Sequence, residues 1–233
     1  MTLLAAVSAA AEVETQFVSL PPTFDMAVIV MGGLSGAAHA ARMRLDPIGV
    51  FTVALCTAVG GGAIRDTLLD RGPPVFLVGT NYLAYAVLAA VVGYLFAGLI
   101  TRVQRAMDVV DVLLLGLWVV IGAQKALVLG LSGPAAVFLG LVTATGGGLL
   151  RDLLARRTPR VFTPGEFNAL AAFVASVVFV GLALAGVPLE ARIVVTIISA
   201  SALRAASLRW HWQTQPAGGL GIPVARAPDP AGD

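Results

Sequence analysis

The sequence predicts an all-α polytopic membrane protein with seven transmembrane helices, two inverted three-helix repeats plus a seventh helix. Three observations predict it: an apolar composition, long runs without charge, and a glycine-rich segment that returns 86 residues further along the chain. Of 233 residues, 58% are hydrophobic and 12% charged, and the mean hydropathy is +0.90. Soluble domains carry about 25% charged residues, so this apolar surplus needs a lipid solvent. The 26 glycines suit close helix packing in a bilayer.

A helix of about twenty apolar residues crosses the hydrocarbon core. Windows of that length place spans at about 24–44, 47–69, 82–101, 109–131, 132–155, 167–187 and 190–209. No Asp, Glu, Lys or Arg occurs in 47–64, 82–100, 132–150 or 167–187. Such continuous runs are foreign to the alternating strands of an outer-membrane barrel. Within the first span, Gly32 and Gly36 stand one turn apart and favour close helix crossing. Asp25 and Asp111, near the beginnings of the first and fourth spans, read as helix caps. Between the fourth and fifth spans, Gly130-Leu131-Ser132-Gly133-Pro134 is the turn signal.

Residues 1–23 read as an external amino-terminal tail, because 1–11 is apolar without the basic residues of a signal peptide and Glu12 and Glu14 follow. The organisation continues with a first three-helix repeat (24–107), a second (108–187), a seventh helix (188–212) and a flexible cytoplasmic tail rich in Pro, Gly and Ala (213–233). Trp210 and Trp212 beside Arg204 and Arg209 anchor the end of the last span at the interface.

Seven crossings put the termini on opposite sides. Arg65, Arg71 and Arg192 then face one side, eleven other arginines face the opposite side, and Lys125 lies inside a span. The positive side is cytoplasmic, which places the amino terminus outside and the carboxyl terminus in the cytoplasm of a cell inner membrane or plasma membrane. The same distribution accounts for the pI of about 9.1. No basic tail or aromatic-basic pattern points to nucleic acid.

Shifted by 86 residues, Leu-Cys-Thr-Ala-Val-Gly-Gly-Gly-Ala-Ile-Arg-Asp-Thr-Leu-Leu at 55–69 falls without a gap on Leu-Val-Thr-Ala-Thr-Gly-Gly-Gly-Leu-Leu-Arg-Asp-Leu-Leu-Ala at 141–155. The register extends outward: Asp25 meets Asp111, Gly36 meets Gly122, His39 meets Lys125, and Pro73 meets Pro159. This is an internal duplication. A unit of three spans reverses its direction on repetition, so the second copy enters from the opposite face.

Gly60, Gly61 and Gly62, and their counterparts Gly146, Gly147 and Gly148, leave two readings open. Each glycine lowers helix propensity by about 1 kcal/mol relative to alanine, so a triplet favours a kink or a short unwound break whose freed carbonyls face a water-filled path and replace part of a cation's hydration shell. The alternative is that the glycines permit close helix crossing and that each following Arg-Asp anchors a helix end. On the first reading, Thr57 and Thr143 add hydroxyls to the path, and Arg65 and Arg151 compensate Asp66 and Asp152. Lys125, deep in an apolar span, reads as a pore-lining or gating charge, since an intramembrane lysine pairs or faces water. His39 stands at its place in the first unit and reads either as pore lining or as packing.

Other chemistries lack their residues. Gly-Gly-Gly-x-x-Arg-Asp has no Gly-Lys-Ser/Thr ending for nucleotide binding, and neither a His-Glu-x-x-His stretch nor a zinc-ligand cluster occurs. The chain therefore reads as a non-enzyme with no metal site, no cofactor and no obligate protein partner, in contact with membrane lipids. Cys56, the single cysteine, reads as a packing residue.

The two elements at 57–66 and 143–152, with Pro73 and Pro159, resemble the bacterial branch of the trimeric intracellular cation (TRIC) channel family, also called the UPF0126 or glycine transporter domain family. The resemblance covers about residues 24–209. It implies a homotrimer with an ion pathway inside each protomer, second and fifth helices kinked at their glycines, and permeant monovalent cations such as K+. The Lys-Glu-Val element that animal relatives use for phosphoinositide binding is missing here. The family's other label implies a competing function, a secondary transporter of a small solute such as glycine.

Overall fold

A computed structural model describes residues 22–78, 81–96, 98, 104–162 and 167–210. Most of the predicted amino-terminal tail, all of the carboxyl-terminal tail, Arg102, and the side chains of Asp25 and Arg105 lie outside the described residues. The helices are α1 (Pro22–Arg42), α2 (Pro47–Leu69), a single turn α3 (Val75–Val78), α4 (Tyr82–Leu95), α5 (Gln104–Val128), α6 (Gly133–Leu154), α7 (Asn168–Leu184) and α8 (Leu189–Trp210).

Local chemistry sets the helix ends. Asp46 caps α2 by accepting from the Gly49 N–H at 2.8 Å, and Pro47 opens the helix, where its missing N–H costs nothing. After α5, Gly130 takes φ +73, with its N–H bonded to Leu127 and the Leu131 N–H reaching back to Ala126. That pattern closes a helix with a left-handed residue. Arg44, 86 positions earlier, does the same at φ 55, and Asp70 (φ 46) and Arg156 (φ 52) form a second left-handed pair at that offset. The duplication thus appears in the backbone as well as in the side chains.

Among the described residues, four helical segments are long and apolar enough to cross a membrane: Pro47–Leu69, Asp111–Val128, Gly133–Leu154 and Leu189–Trp210. Tyr82–Leu95 and Asn168–Leu184 are apolar but shorter. At 14 residues, α4 is about 21 Å long, short of the roughly 30 Å hydrocarbon core. It ends at Phe96, whose N–H bonds to the Val92 carbonyl, and the rest of the predicted span towards 101 falls, apart from Gly98, outside the described residues. Helix α5 begins at Gln104, five residues before the predicted start of the fourth span at 109, and its apolar stretch runs Asp111–Val128.

Small side chains form the core. Ala37, Ala54, Ala90, Ala123, Ala136, Ala172 and Ala175 are buried, whereas Leu88, Phe173, Val177 and Ile198 are exposed. Lipid tails match leucine in polarity, so association rests on close van der Waals contact between small residues. Within each copy the first two helices pack together, α1 on α2 and α5 on α6; α8 lies against α5 and α7. The most extensive contact joins the copies through α2 and α6.

Candidate functional site

Helices α2 and α6 meet at their glycines. A Cβ built at Gly147 would stand 2.5 Å from the Thr57 carbonyl oxygen, and one built at Gly61 would collide with the Thr143 carbonyl oxygen. Because 57 faces 147 while 61 faces 143, the helices run antiparallel. Gly60 faces Leu150, and a Cβ at Gly146 would lie 3.0 Å from Gly61 Cα. Gly62 and Gly148 differ: their nearest neighbours are the Arg65 and Arg151 Nη2 atoms at 3.8 and 3.9 Å. In each triplet two glycines serve the crossing and the third faces open space.

Both helices continue unbroken through their triplets. The unwound break that three glycines permit is not formed, because the backbone-to-backbone approach stabilises the straight ladder that the glycines weaken. Main-chain carbonyls therefore remain in helical hydrogen bonds, and side chains supply the exposed polar atoms.

Thr57 and Thr143 stand at the crossing, Thr57 partly buried and Thr143 buried. Each hydroxyl donates to the carbonyl four residues earlier, Val53 and Leu139, at 2.6 Å. With the proton so placed, the oxygen offers lone pairs elsewhere. Gly36 backs Thr57, where a Cβ would come within 2.6 Å of the hydroxyl oxygen, and Gly122 backs Thr143 in the same way. Each threonine thus sits in a junction of three helices that glycines hold tight.

A cavity of about 570 Å³ adjoins this crossing. Thr57, Gly61, Thr143, Gly147 and Gly148 line its inner part; His39, Arg151 and Asp152 also line it, together with Arg42, Asp111, Arg160 and Arg204. Those last four were missed as site residues in the sequence. Asp111 was expected to cap a helix, yet α5 starts seven residues before it, and its Oδ2 accepts from the Ser35 hydroxyl at 3.4 Å. Its match to Asp25 in the duplication was the available signal, but only the true helix start separates a cap from an interior carboxylate.

The two Arg-Asp pairs lie on opposite sides of the crossing, since each follows its triplet on an antiparallel helix. Asp66 is 5% exposed and accepts from Arg65 Nε at 2.7 Å and Lys125 Nζ at 3.1 Å through Oδ1, and from the Val75 N–H at 3.1 Å through Oδ2. Asp152 accepts from Arg151 Nε and the Arg160 N–H, both at 3.0 Å. Each loop after the motif folds back so that a backbone N–H satisfies the carboxylate. Lys125 reaches across from the second copy to the first. Its counterpart His39 makes no such bond to Asp152: His39 Nε2 is buried without a hydrogen-bond partner. Arg65, Asp66 and Lys125 do not line the cavity, nor do Gly60, Gly62 and Gly146.

The family model described as "Glycine transporter" matches residues 22–98 and again 108–183, one match for each copy. The chain belongs to that family. A UPF0126 membrane protein from Deinococcus radiodurans is 38% identical over 59% of this chain and 64% of its own length. The chain spans just under two thirds of that relative. Among solved structures, one described under conductance through TRIC cation channels superposes with a TM-score of 0.79 at 30% identity, over 88% of this chain and 98% of the other. The trimeric intracellular cation channel orthologue from Rhodobacter sphaeroides gives 0.75 at 32% identity, over 82% and 97%. This UPF0126 member is accordingly an all-α, multi-pass membrane protein with a TRIC-like architecture.

Proposed function

We propose that this UPF0126 protein is a monovalent-cation channel, permeable to K+, with one pore in each protomer of a homotrimer. The observation that carries the proposal is the cavity ending at the α2/α6 crossing, where Thr57 and Thr143 present hydroxyl lone pairs from both copies. Two oxygen acceptors at one constriction replace part of a cation's hydration shell without requiring a broken helix. The TRIC relatives, cation channels by description and trimeric in the Rhodobacter case, support both the transport class and the assembly.

In this proposal the seven helices other than the single turn α3 all cross the bilayer, the repeats 24–107 and 108–187 form an inverted pair, and 188–212 adds the seventh helix. The antiparallel contact of α2 with α6 supports the inversion, and the arginine bias supports an external amino terminus and a cytoplasmic carboxyl terminus. The cavity then opens towards the cytoplasm. Beyond the crossing, Lys125 with Asp66 and Arg65 forms the gate, two ion pairs on one buried carboxylate that must separate or shift for ions to pass. Gly61 and Gly147 hold the constriction, and Arg151 and Asp152 flank its cytoplasmic approach.

The family model's description favours a second function, a carrier for glycine. Planar-bilayer recording of the purified protein separates the two. Unitary current steps that reverse with the monovalent-cation gradient are the expected result; saturable glycine uptake without steps would establish the carrier instead.

A further inference from the structure

Asp66 is held from two directions. Its Oδ1 accepts both cationic donors, Arg65 Nε at 2.7 Å and Lys125 Nζ at 3.1 Å, while its Oδ2 accepts the Val75 N–H at 3.1 Å. The first two donors belong to the gate, and the third comes from the loop that follows α2. Asp152 repeats the backbone bond with the Arg160 N–H. In the 86-residue register Arg160 matches Pro74, which has no N–H to give, so the first copy donates from the next residue along. The bond survives in both copies although the donor position does not.

The loop is stiff where it donates. Pro73 and Pro74 fix two consecutive φ angles, and each restricts the residue before it. Val75 then opens the single turn α3, whose Leu77 N–H bonds to the Pro74 carbonyl at 2.9 Å, and α3 rests against both α2 and α4. The Val75 N–H is therefore presented by a backbone with little freedom of its own. The carboxylate it meets turns easily about its last bond. A guanidinium favours a two-pronged grip on both oxygens of a carboxylate, and Arg65, next to Asp66 in the chain, bonds it through Nε. With Oδ2 occupied by Val75, Arg65 is denied the second oxygen, and Oδ1 stays turned to Lys125.

We propose that the loop after α2 sets the gate: the Val75 N–H positions Asp66 by occupying Oδ2, which keeps Oδ1 for Lys125. Without that bond the carboxylate turns into a fork with Arg65, and the Lys125 contact is lost. Under the orientation proposed above the loop lies on the external face, so a disturbance of 70–78 from outside reaches the gate through this bond. The inference rests on the gate for its effect on current, while the positioning itself is also read without current.

Val75→Pro removes the N–H at the first position of a turn, where proline is tolerated; Val75→Ala keeps the N–H and is the reference for the lost side chain. In planar bilayers Val75→Pro is expected to raise the open-to-closed ratio about tenfold over Val75→Ala, the scale of one hydrogen bond to a charged group, with unitary conductance unchanged. The second measurement is a thermal double-mutant cycle of Val75→Pro with Lys125→Ala, followed by loss of the folded peak on gel filtration. The Tm loss from Lys125→Ala should be smaller in the Val75→Pro background, because the contact is already gone. Pro74→Gly, which frees the loop and is compared with wild type, takes the place of Val75→Pro in both measurements should that variant fail to fold. An open-to-closed ratio that is unchanged or lower, or Tm losses that simply add, overturns the proposal. A wild type without current retires the channel instead, and the cycle alone then decides the positioning.

Discussion

Adjacent glycines in one triplet are expected to respond in opposite directions to the same substitution. Gly147→Ala and Gly148→Ala both add one methyl group to the same helix, and both gain about 1 kcal/mol of helix propensity. The shared gain cancels in their difference, which isolates the packing cost. A methyl at 147 would lie 2.5 Å from the Thr57 carbonyl oxygen, a backbone atom that cannot rotate away, whereas one at 148 meets nothing closer than Arg151 Nη2 at 3.9 Å. To restore ordinary contact of about 3.5 Å, α2 and α6 must separate by about 1 Å at the crossing. Overpacking on that scale costs about 1–3 kcal/mol. Gly148→Ala is therefore more stable than wild type by up to about 1 kcal/mol, and Gly147→Ala falls below Gly148→Ala by about 1–3 kcal/mol, roughly 3–10 °C in Tm. Thermal unfolding of the purified protein, followed by loss of the folded peak on gel filtration, measures it. Equal Tm values for the two variants would refute the assignment of Gly147 to the crossing. A large loss for Gly148→Ala alone would instead revive the broken helix.

The remaining predictions use the charges, the hydroxyls and the loops. Lys125→Ala removes one of three donors to buried Asp66 and is expected to destabilise by about 1.5–3 kcal/mol and to change open probability in bilayer recordings; unchanged currents across voltage and salt would remove Lys125 from the gate. A double-mutant cycle with Asp66→Asn should show coupling of more than about 0.5 kcal/mol, and additive losses would mean that the 3.1 Å contact carries no energy. Thr57→Val and Thr143→Val keep the branched shape and lose only a bond within their own helix, so unitary conductance should drop while stability changes by about 1 kcal/mol or less; full conductance in the double variant would contradict the hydroxyl constriction. Arg44→Gly should stabilise by about 1 kcal/mol, because Arg44 sits at φ 55 where its counterpart is Gly130, and a lower Tm would show that the arginine side chain outweighs its backbone strain.

Much of the site was visible in the sequence as pairs. The shift of 86 residues matched Thr57 with Thr143, Gly61 with Gly147, Asp66 with Asp152 and His39 with Lys125, and the structure brings Thr57, Thr143, Gly61, Gly147, His39 and Asp152 to one cavity. The glycine triplets were legible as special but ambiguous, because weak helix propensity and missing side-chain bulk are the same property seen locally and across an interface. Asp111 shows a different limit. Seven residues of helix ahead of it changed a cap into a cavity carboxylate, and no Gly or Pro in 104–110 marks where that helix starts.

The sequence by itself determined the solvent, the duplication and the chemical inventory, because hydropathy and repetition are properties of order along the chain. Tertiary structure decided that two glycines of each triplet meet a backbone while the third does not. It also decided that Lys125 crosses to Asp66 of the other copy while His39 Nε2, in the equivalent place, has no hydrogen-bond partner. Equivalent positions in a duplicated sequence carry no distances. The Lys125 ammonium lies 3.1 Å from Asp66 of the other copy, whereas His39 Nε2 bonds to nothing, so matched positions along the chain end in different surroundings.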